Sequence, residues 1–396
     1  MPSPKSISRE FYDISKQFDS AAFAKSVLSS FQDFPDPRRT GAVLFPAWFI
    51  VLVVLCGFLS GCNTIQEISY FSKMRISWFA EMLGMVVKAP SYDTIWVLLC
   101  RTKPEGFKQL LHRWFESLPT DLRDQLLALD GKRVKGASSE DKMVHIVEMF
   151  AVGRRLVVCQ ERVPDKKNEL GALPALLNSI EVEGAILSMD AMFTQKEVAA
   201  KIVGKKADYI MGLKGNQGNL CDEAANFFEQ AHAINFEEVE CDFFETCDKK
   251  HGREEIRQIR VIHDLEWLPQ LSDWKGLKSL IEVVSERRIG EKVEASKRFY
   301  ISSRKAKAKE FGWWIRGHWA IENNLHWVAD VVFGEDDATN RKGHSPENLS
   351  LIRRLAINMV NLLDPGKGLA AARTLLTYEP DYLKGFMAKL FLTGVK

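Results

Sequence analysis

The hydrophobic pattern of this 396-residue chain changes its period at about residue 125. Before that point apolar residues recur at helical spacing, and after it they form the short runs typical of strands. The runs QLLALD, MVHIVEMF and RRLVVCQERV predict an antiparallel meander over 125–163. The runs GAILSMD and ADYIMGLKGN predict two further strands, each reached through a helix, the first of which Asn168 opens. The order β-β-β-α-β-α-β predicts an α/β fold with a mixed sheet and helices on its faces.

Residues 1–118 predict an all-helical N-terminal domain, with candidate helices at 21–31, 47–59, 64–74, 77–83 and 107–115 and one capped by Ser91. Residues 40–66 carry no charge, and this length makes a membrane-spanning helix one interpretation. However, Pro46, Gly57 and Gly61 interrupt the segment, and its apolar core AWFIVLVVLCGFL is short. The pattern therefore favours a buried helix and no membrane association.

Charge is distributed unevenly along the chain, although the formal net charge is only +2. Residues 221–260 hold 11 Asp and Glu against 5 Lys and Arg, whereas 284–309 hold 9 Lys and Arg against 3 Glu. A basic segment of that kind suits a nucleic-acid backbone, or is simply a solvated face. Seven scattered cysteines without a CxxC pair, and a polar N-terminus, predict reduced thiols and a cytoplasmic location.

Three carboxylates stand where separate elements can bring them together. Asp130 ends the strand-like run LALD, Asp190 ends AILSMD, and Glu322 lies in an aromatic-rich helix predicted over about 308–332. In a mixed sheet of this order the first strand pairs with the strand after the first crossover, so the two aspartates become neighbours. Adjacent carboxylates raise each other's pKa unless a cation lies between them. Oxygen ligands of this kind suit Mg²⁺, so we expect metal-assisted phosphodiester chemistry.

The predicted helix has an apolar stripe and, beside it, a polar face. The stripe comprises Trp314, Ile321, Leu325, Val328 and Val332. The polar face places ionisable groups at steps of four, namely His318, Glu322, His326 and Asp330. This face can be read as a zinc site, or as histidines that bond to DNA or to neighbouring carboxylates. A second zinc interpretation would use Cys241, Cys247 and His251, although their spacing fits no finger pattern.

Several basic, amide and aromatic side chains near these carboxylates are candidates for contacting DNA. The segment GKRVKGA follows Asp130, and LKGNQGNL follows the last predicted strand, although each is also an ordinary turn. Tryptophans of the helix are core residues or platforms for an unpaired base. The full candidate set is Lys132, Arg133, Lys135, Lys214, Asn216, Gln217, Arg316, His318, Trp319 and His326.

Several of these segments, taken in order, resemble the DDE-type insertion-sequence transposases, and within them the group that includes the H-repeat-associated proteins of Rhs elements. The likeness covers nearly all of the chain beyond about residue 30. It is carried by FPDPRR, PSYDTI, LALDGKRVKGA, SMDAMFTQKE, YIMGLKGNQ, HGREEIR, YISS, IRGHWAIENNLHWVADVVFGED and PENLSLIRRLAINMV.

The resemblance implies a ribonuclease H-like catalytic domain with Asp130, Asp190 and Glu322 binding two Mg²⁺ ions, for which Mn²⁺ can substitute. The expected organisation is an N-terminal domain at 1–118, either an ordinary helical domain or one that binds DNA ends, with catalytic parts at 119–220 and 296–365, a β-containing insertion at 221–295, and a helical tail at 366–396. The implied partners are double-stranded DNA with the element's terminal repeats, target DNA, and a second copy in a homodimer on the nucleoid. Where the wider family has tyrosine, arginine and lysine around the glutamate, this chain has Ile315, His318 and Ala329.

The function implied is cleavage of the element's ends and joining of the 3′-hydroxyl to target DNA. Two alternatives stay open on the sequence: a domesticated, inactive transposase that only binds DNA, and a repair nuclease of the same fold that cuts without joining.

Overall fold

A computed structural model describes residues 4–38, 45–119, 121–137, 144–163, 169–250, 252–363 and 368–393. The described part of the N-terminal region forms helices. They are α1 (Pro4–Lys16), α2 (Ser20–Ser30), α3 (Ala47–Leu59), α4 (Ile65–Met74), α5 (Ile76–Leu83), α6 (Tyr92–Arg101) and α7 (Pro104–Glu116). The predicted cap of α6 is confirmed, because the Ser91 hydroxyl accepts the Thr94 N–H at 3.3 Å. Helix α1 was not predicted, and residues 39–44, between α2 and α3, lie outside the described residues.

Helix α3 contains the apolar run for which a membrane-spanning helix was one interpretation, and it lies inside the helical core. Every residue of α3 except Trp48 is buried, and the helix packs against α4, α6 and the C-terminal helices α12 (Ser345–Leu363) and α13 (Leu369–Tyr378). Among the described residues, no helix combines the length and the apolarity needed to cross a bilayer. A helix that is hydrophobic all round is thus explained by burial on all sides.

The mixed sheet predicted from the sequence is confirmed, and it is larger than the prediction. Its strand order is β3-β2-β1-β4-β5-β9-β8-β7-β6. Pairing is antiparallel across β3-β2-β1, parallel across β1-β4-β5, and antiparallel from β5 to β6. The first five strands are β1 (Leu126–Arg133), β2 (His145–Ala151), β3 (Leu156–Arg162), β4 (Ile186–Met189) and β5 (Asp208–Leu213).

The two crossovers between parallel strands contain α8 (Leu173–Asn178) and α9 (Lys196–Gly204). Helix α8 is shorter than predicted because Pro174 fixes its first turn, and a separate 3₁₀ turn at Glu169–Gly171 precedes it. Asn168, predicted to open this helix, lies outside the described residues.

The segment between β5 and the Glu322 helix extends the same sheet. It contains α10 (Asn219–Ala233), β6 (Cys241–Lys250), β7 (Arg253–Ile262), β8 (Ser279–Ile289) and β9 (Lys292–Ser302). Each of these strands has 10 or 11 residues, so the β-containing part of this segment is a set of long strands. The predicted boundary at 295/296 falls inside β9, which pairs with β5. Charged residues interrupt the apolar residues along these strands, so the strands contain no long apolar run.

The C-terminal helices join the N-terminal helices in one core. Phe11 of α1 contacts two aromatic rings of α14 (Pro380–Ala388), those of Tyr382 at 5.0 Å and Phe386 at 5.5 Å between centroids. The predicted separation of 1–118 from a tail at 366–396 therefore does not describe the packing. Helix α12 is buried along its length except at Leu362 and packs against α7 and β3, so it connects the helical core with the sheet.

Candidate active site

Asp130 lies within β1, and Asp190 occupies the equivalent position immediately after the adjacent strand β4. Strands β1 and β4 are parallel and pair in register through Leu129 and Met189, the residues immediately before the two aspartates. Strand β1 continues beyond Asp130 because it still pairs with β2, whereas β4 stops at Met189. The predicted pairing of these strands is confirmed. The Asp130 carboxylate is 19% exposed and the Asp190 carboxylate 60% exposed.

Glu322 lies on a helical segment that begins as α11 (Ala308–His318) and continues past a turn at Trp319. The segment extends as far as predicted, but its second half is π-helical, over Glu322–His326 and Val328–Val332. Ile321, Leu325 and Val328 of the predicted stripe are buried against the core. Single π-helical turns are rare and frequently occur at functional sites, because they shift side chains relative to a regular helix. Glu322 is exposed.

The polar face of this segment crosses three strands of the sheet. His318 places Nδ1 3.0 Å from the Ser188 hydroxyl and Nε2 3.9 Å from Asp190 Oδ1. Two steps of four further along, His326 places Nδ1 3.6 Å from Asp130 Oδ2. Asp330 accepts from the Lys132 ammonium. Glu322 lies between the two histidines in sequence, so the face that carries it is held over the ends of β4 and β1.

The pKa of Asp130 is affected by the charges of the other two acidic groups, Asp190 and Glu322. The pKa of Asp130 is raised to about 6, chiefly by burial, and the negative charges of Asp190 and Glu322 make smaller contributions in the same direction. The neighbouring imidazole of His326 and the Gly131 N–H, which donates to Asp130 Oδ1 at 2.8 Å, act in the opposite direction. The three carboxylates therefore repel one another across the sheet edge, and a cation between them would relieve that repulsion.

The donor set fits a hard divalent cation better than zinc. All three groups are carboxylates, two of them exposed, which suits Mg²⁺ or Mn²⁺. Within the described ranges, no three His, Cys, Asp or Glu side chains already stand in a metal-binding cluster. In the alternative zinc set, the Cys247 thiol donates to Glu254 and His251 lies outside the described residues. In the other zinc interpretation, the two histidines of the polar face, His318 and His326, each face a carboxylate, that of Asp190 and that of Asp130 respectively.

The structure separates the predicted DNA-contacting residues into internal and accessible groups. Lys132 was predicted wrongly, because its ammonium is buried and pairs with Glu335 at 2.9 Å as well as with Asp330. Asn216 and Gln217 donate their amides to the Ala191 carbonyl at 3.0 and 2.8 Å, so they fasten the loop after β5 to the turn after Asp190. The exposed members are Arg133, Lys135, Lys214, Asn216, Arg316 and Trp319, and Asn216 is exposed although its amide donates to Ala191.

A cleft of about 890 Å³ runs between strands β7–β9 and the Glu322 segment. Asn323 and Asn324, next to Glu322, line the cleft, and so does Tyr300, whose pKa is raised chiefly by burial and also by the charge of Asp190. The cleft is rich in guanidinium groups, and the Arg298 guanidinium lies 5.3 Å from the Trp319 ring. Its arginines are Arg253, Arg257, Arg287, Arg298 and Arg316.

Sequence reasoning missed the buried charges behind the site. Glu148 of β2 and Glu335 are both fully buried and both pair with the buried Arg354 of α12. A signal was present in the sequence, since Glu148 is a single charge inside the apolar strand HIVEMFA and Arg354 lies in the apolar helix LSLIRRLAINMV. Charges in such positions are rarely buried without partners.

Comparison with known proteins identifies the family of this chain. The family model described as "Transposase DDE domain" matches residues 121–359, and the model described as "DDE_Tnp_1-associated" matches residues 28–115. The "Putative transposase YncI" of Escherichia coli O157:H7 is 33% identical over 384 residues, covering 94% of this chain and 97% of that protein. The "H repeat-associated putative transposase YhhI" of Escherichia coli K12 is 32% identical, covering 85% of this chain and 90% of that protein.

A solved structure of a piggyBac transposase synaptic complex with hairpin DNA matches 99% of this chain and 82% of that one, at 11% identity and a TM-score of 0.41. That likeness is too remote to assign the fold. The family models, by contrast, cover most of the chain and include all three carboxylates. The chain belongs to the DDE transposase family, in the group of the H-repeat-associated transposases.

Proposed function

We propose that this transposase cleaves DNA at the ends of its element and joins the freed 3′-hydroxyl to target DNA, with Asp130, Asp190 and Glu322 holding two Mg²⁺ ions. The observation that carries the proposal is the register of β1 and β4, which sets the two aspartates side by side beneath the face that bears Glu322. Mn²⁺ has similar oxygen preferences and would substitute. Asp190 and Glu322 are exposed, so their side chains are free to turn toward a shared cation.

Bound cations would activate water for attack on the phosphodiester and stabilise the leaving 3′-oxygen. The chain itself supplies the positions of the carboxylates. Asp130 is held by its strand and by the Gly131 N–H, Asp190 lies against His318, and the amides of Asn216 and Gln217 brace the turn that follows Asp190. The same site can hold a water for cleavage and a DNA hydroxyl for joining, because both are oxygen nucleophiles attacking a phosphate.

We infer that β3-β2-β1-β4-β5 is the core of a ribonuclease H-like fold, and that α10 with β6–β9 is the insertion of that fold. Support comes from the sheet order, from the parallel β1-β4 pair that bears the aspartates, and from the point of insertion between β5 and α11. The helical region around α2–α7, which matches the associated-domain model, is our candidate for recognising the element's ends.

DNA is the proposed partner, and the arginine cleft is its proposed path toward the carboxylates. Five guanidinium groups line the cleft against the carboxylates of Glu255, Glu286 and Glu294, so the lining is net positive. Positive side chains contact phosphates irrespective of sequence and fix the register of a duplex. Exposed Trp319 adds an aromatic face beside Arg298. A homodimer assembled on DNA would hold two element ends together.

The proposal is tested with supercoiled plasmid that carries candidate terminal repeats, incubated with the full-length protein with and without Mg²⁺. We expect Mg²⁺-dependent cleavage at the repeats and joined products, and we expect Asp130→Asn and Glu322→Gln to abolish both while end DNA is still bound. Glu181→Gln is the matched control, because Glu181 is exposed and precedes β4 at the opposite end of the strand from Asp190. Cleavage without joining would favour a repair nuclease, and binding without cleavage a domesticated protein.

A further inference from the structure

A second carboxylate faces Asp130 from the neighbouring strand. Glu148 of β2 is the direct cross-strand partner of Asp130 in the β1–β2 register, so both side chains lie on the same face of the sheet. Two like charges in this relation are destabilising unless something compensates them. Glu148 is fully buried and cannot turn to solvent for relief.

Arg354 holds the carboxylate of Glu148 in place through two hydrogen bonds. Its Nε donates to Glu148 Oε1 at 2.6 Å and its Nη2 donates to Oε2 at 3.1 Å, a two-pronged pairing that defines the plane of the carboxylate. Burial by itself would raise the pKa of Glu148, but the charge of Arg354, with contacts from His326, lowers it to about 2. Glu148 is therefore an ionised and immobile acceptor throughout the physiological pH range.

His326 lies between the two carboxylates. Its Nε2 is 3.2 Å from Glu148 Oε2 and its Nδ1 is 3.6 Å from Asp130 Oδ2. The other oxygen of Asp130 accepts the Gly131 N–H at 2.8 Å. Both oxygens of Asp130 are thus contacted, one from its own strand and one from the imidazole. The Gly131 hydrogen bond on one oxygen and the adjacent imidazole beside the other therefore restrict the rotation of this carboxylate.

His326 also connects the strand with the segment that carries Glu322. The two residues are the first and last of one π-helical turn, Glu322–His326. A ring held between β1 and β2 therefore fixes the height of that turn above the sheet. The contact ties the position of Glu322 to that of Asp130, although the two are 192 positions apart in the chain (322 minus 130).

Resting on the proposed function, we propose that Glu148 and His326 are positioning residues, which orient the Asp130 carboxylate and the Glu322 turn for binding a divalent cation. Groups that hold metal ligands in place commonly change metal affinity by about 10–100-fold when they are removed. Neither residue is proposed to touch DNA, so His326 moves from the predicted DNA-contacting set to this role.

The test is calorimetric titration of Mn²⁺ into the full-length protein without DNA, a measurement independent of catalysis. We expect His326→Ala to raise the Kd for Mn²⁺ by about 10–100-fold. His326→Asn keeps an amide near the Nδ1 position that faces Asp130, so we expect it to recover much of the affinity. His326→Gln places its amide near Nε2, toward Glu148, and we expect it to recover less.

A matched control exists in the insertion. His232 sets its Nε2 2.8 Å from Oε2 of the buried Glu282, so it is also an imidazole on a buried carboxylate, but it lies away from the site. His232→Ala should leave the Kd for Mn²⁺ unchanged. Equal weakening by His232→Ala and His326→Ala would overturn the proposal, since it would report general destabilisation.

The outcomes separate this proposal from the proposed function. If Asp130→Asn loses Mn²⁺ binding while all three His326 variants keep the wild-type Kd, the positioning role is wrong and the metal site stands. If Asp130→Asn itself keeps the wild-type Kd, the metal site is wrong. If thermal denaturation shows His326→Ala to be unfolded, the Asn and Gln variants decide, and equal affinities of both with wild type overturn the proposal.

Discussion

Asp130→Asn should make the metal-free protein more stable, although it should abolish catalysis. The pKa of Asp130 rises from its ordinary value of 3.8 to about 6 in the folded protein, chiefly by burial. Each pKa unit corresponds to about 1.4 kcal/mol, so ionised Asp130 lowers the free energy of unfolding by about 3 kcal/mol. Asparagine keeps an oxygen for the Gly131 N–H and carries no charge, so it removes this cost.

The sign of the pH dependence follows from the direction of the shift. A carboxyl whose folded-state pKa is raised binds protons more tightly in the folded state, so its cost is absent below about pH 4 and complete above about pH 6. Urea denaturation without divalent cations should therefore show the gain of Asp130→Asn at pH 8, and little gain at pH 4. Adding Mn²⁺ should stabilise the wild type and not the variant, by mass action on the folded state.

The reasoning would be refuted by a variant less stable than the wild type at pH 8, or by a gain that does not change between pH 4 and pH 8. Either result would mean that Asp130 is not a strained carboxylate. Equal stabilisation of both proteins by Mn²⁺ would place the cation elsewhere.

Three further predictions concern the surroundings of the site. Glu148→Gln should lower the free energy of unfolding by about 3–5 kcal/mol at pH 7, because it breaks the buried pair with Arg354. Urea denaturation measures this loss, and a loss that is equally large at pH 2 would contradict the prediction. Asn358→Ala should cost about 2–5 kcal/mol in the same assay, since the Asn358 amide satisfies both the N–H and the carbonyl of Val157 at 2.7 and 2.8 Å; a cost near zero would show that water replaces it. Arg287→Ala and Arg298→Ala should each weaken DNA binding and reduce the slope of log Kd against log salt by about 1, as measured by fluorescence anisotropy; unchanged slopes would remove the cleft from the DNA path.

Local sequence patterns predicted the helices and strands whose formation depends on the side chains within each element. The apolar period predicted α2–α7 and the first five strands, because the side chains of each element bury one continuous face. Parallel pairing of β1 with β4 followed from the crossover between them, and that pairing alone brought Asp130 beside Asp190. Ser91 predicted the start of α6, since its hydroxyl bonds to the first turn.

The remaining features depend on partners that are distant in the chain. Lys132 reads as a surface lysine, but Asp330 and Glu335, about 200 residues away, pair with it in the interior. Glu148 and Arg354 are similarly far apart and bury each other's charge. The π-helical turns at Glu322 leave no mark on apolar spacing, because Ile321, Leu325 and Val328 fit a regular helix equally well. Strand β9 joins β5 through backbone pairing, which side-chain patterns do not encode.

The most direct test of the account is an anomalous difference map from crystals of the protein bound to element-end DNA and Mn²⁺. The account predicts two manganese peaks, both coordinated by oxygens drawn from Asp130, Asp190 and Glu322. Peaks bound by other residues, or a well-ordered site in which these three carboxylates contact no metal, would contradict it.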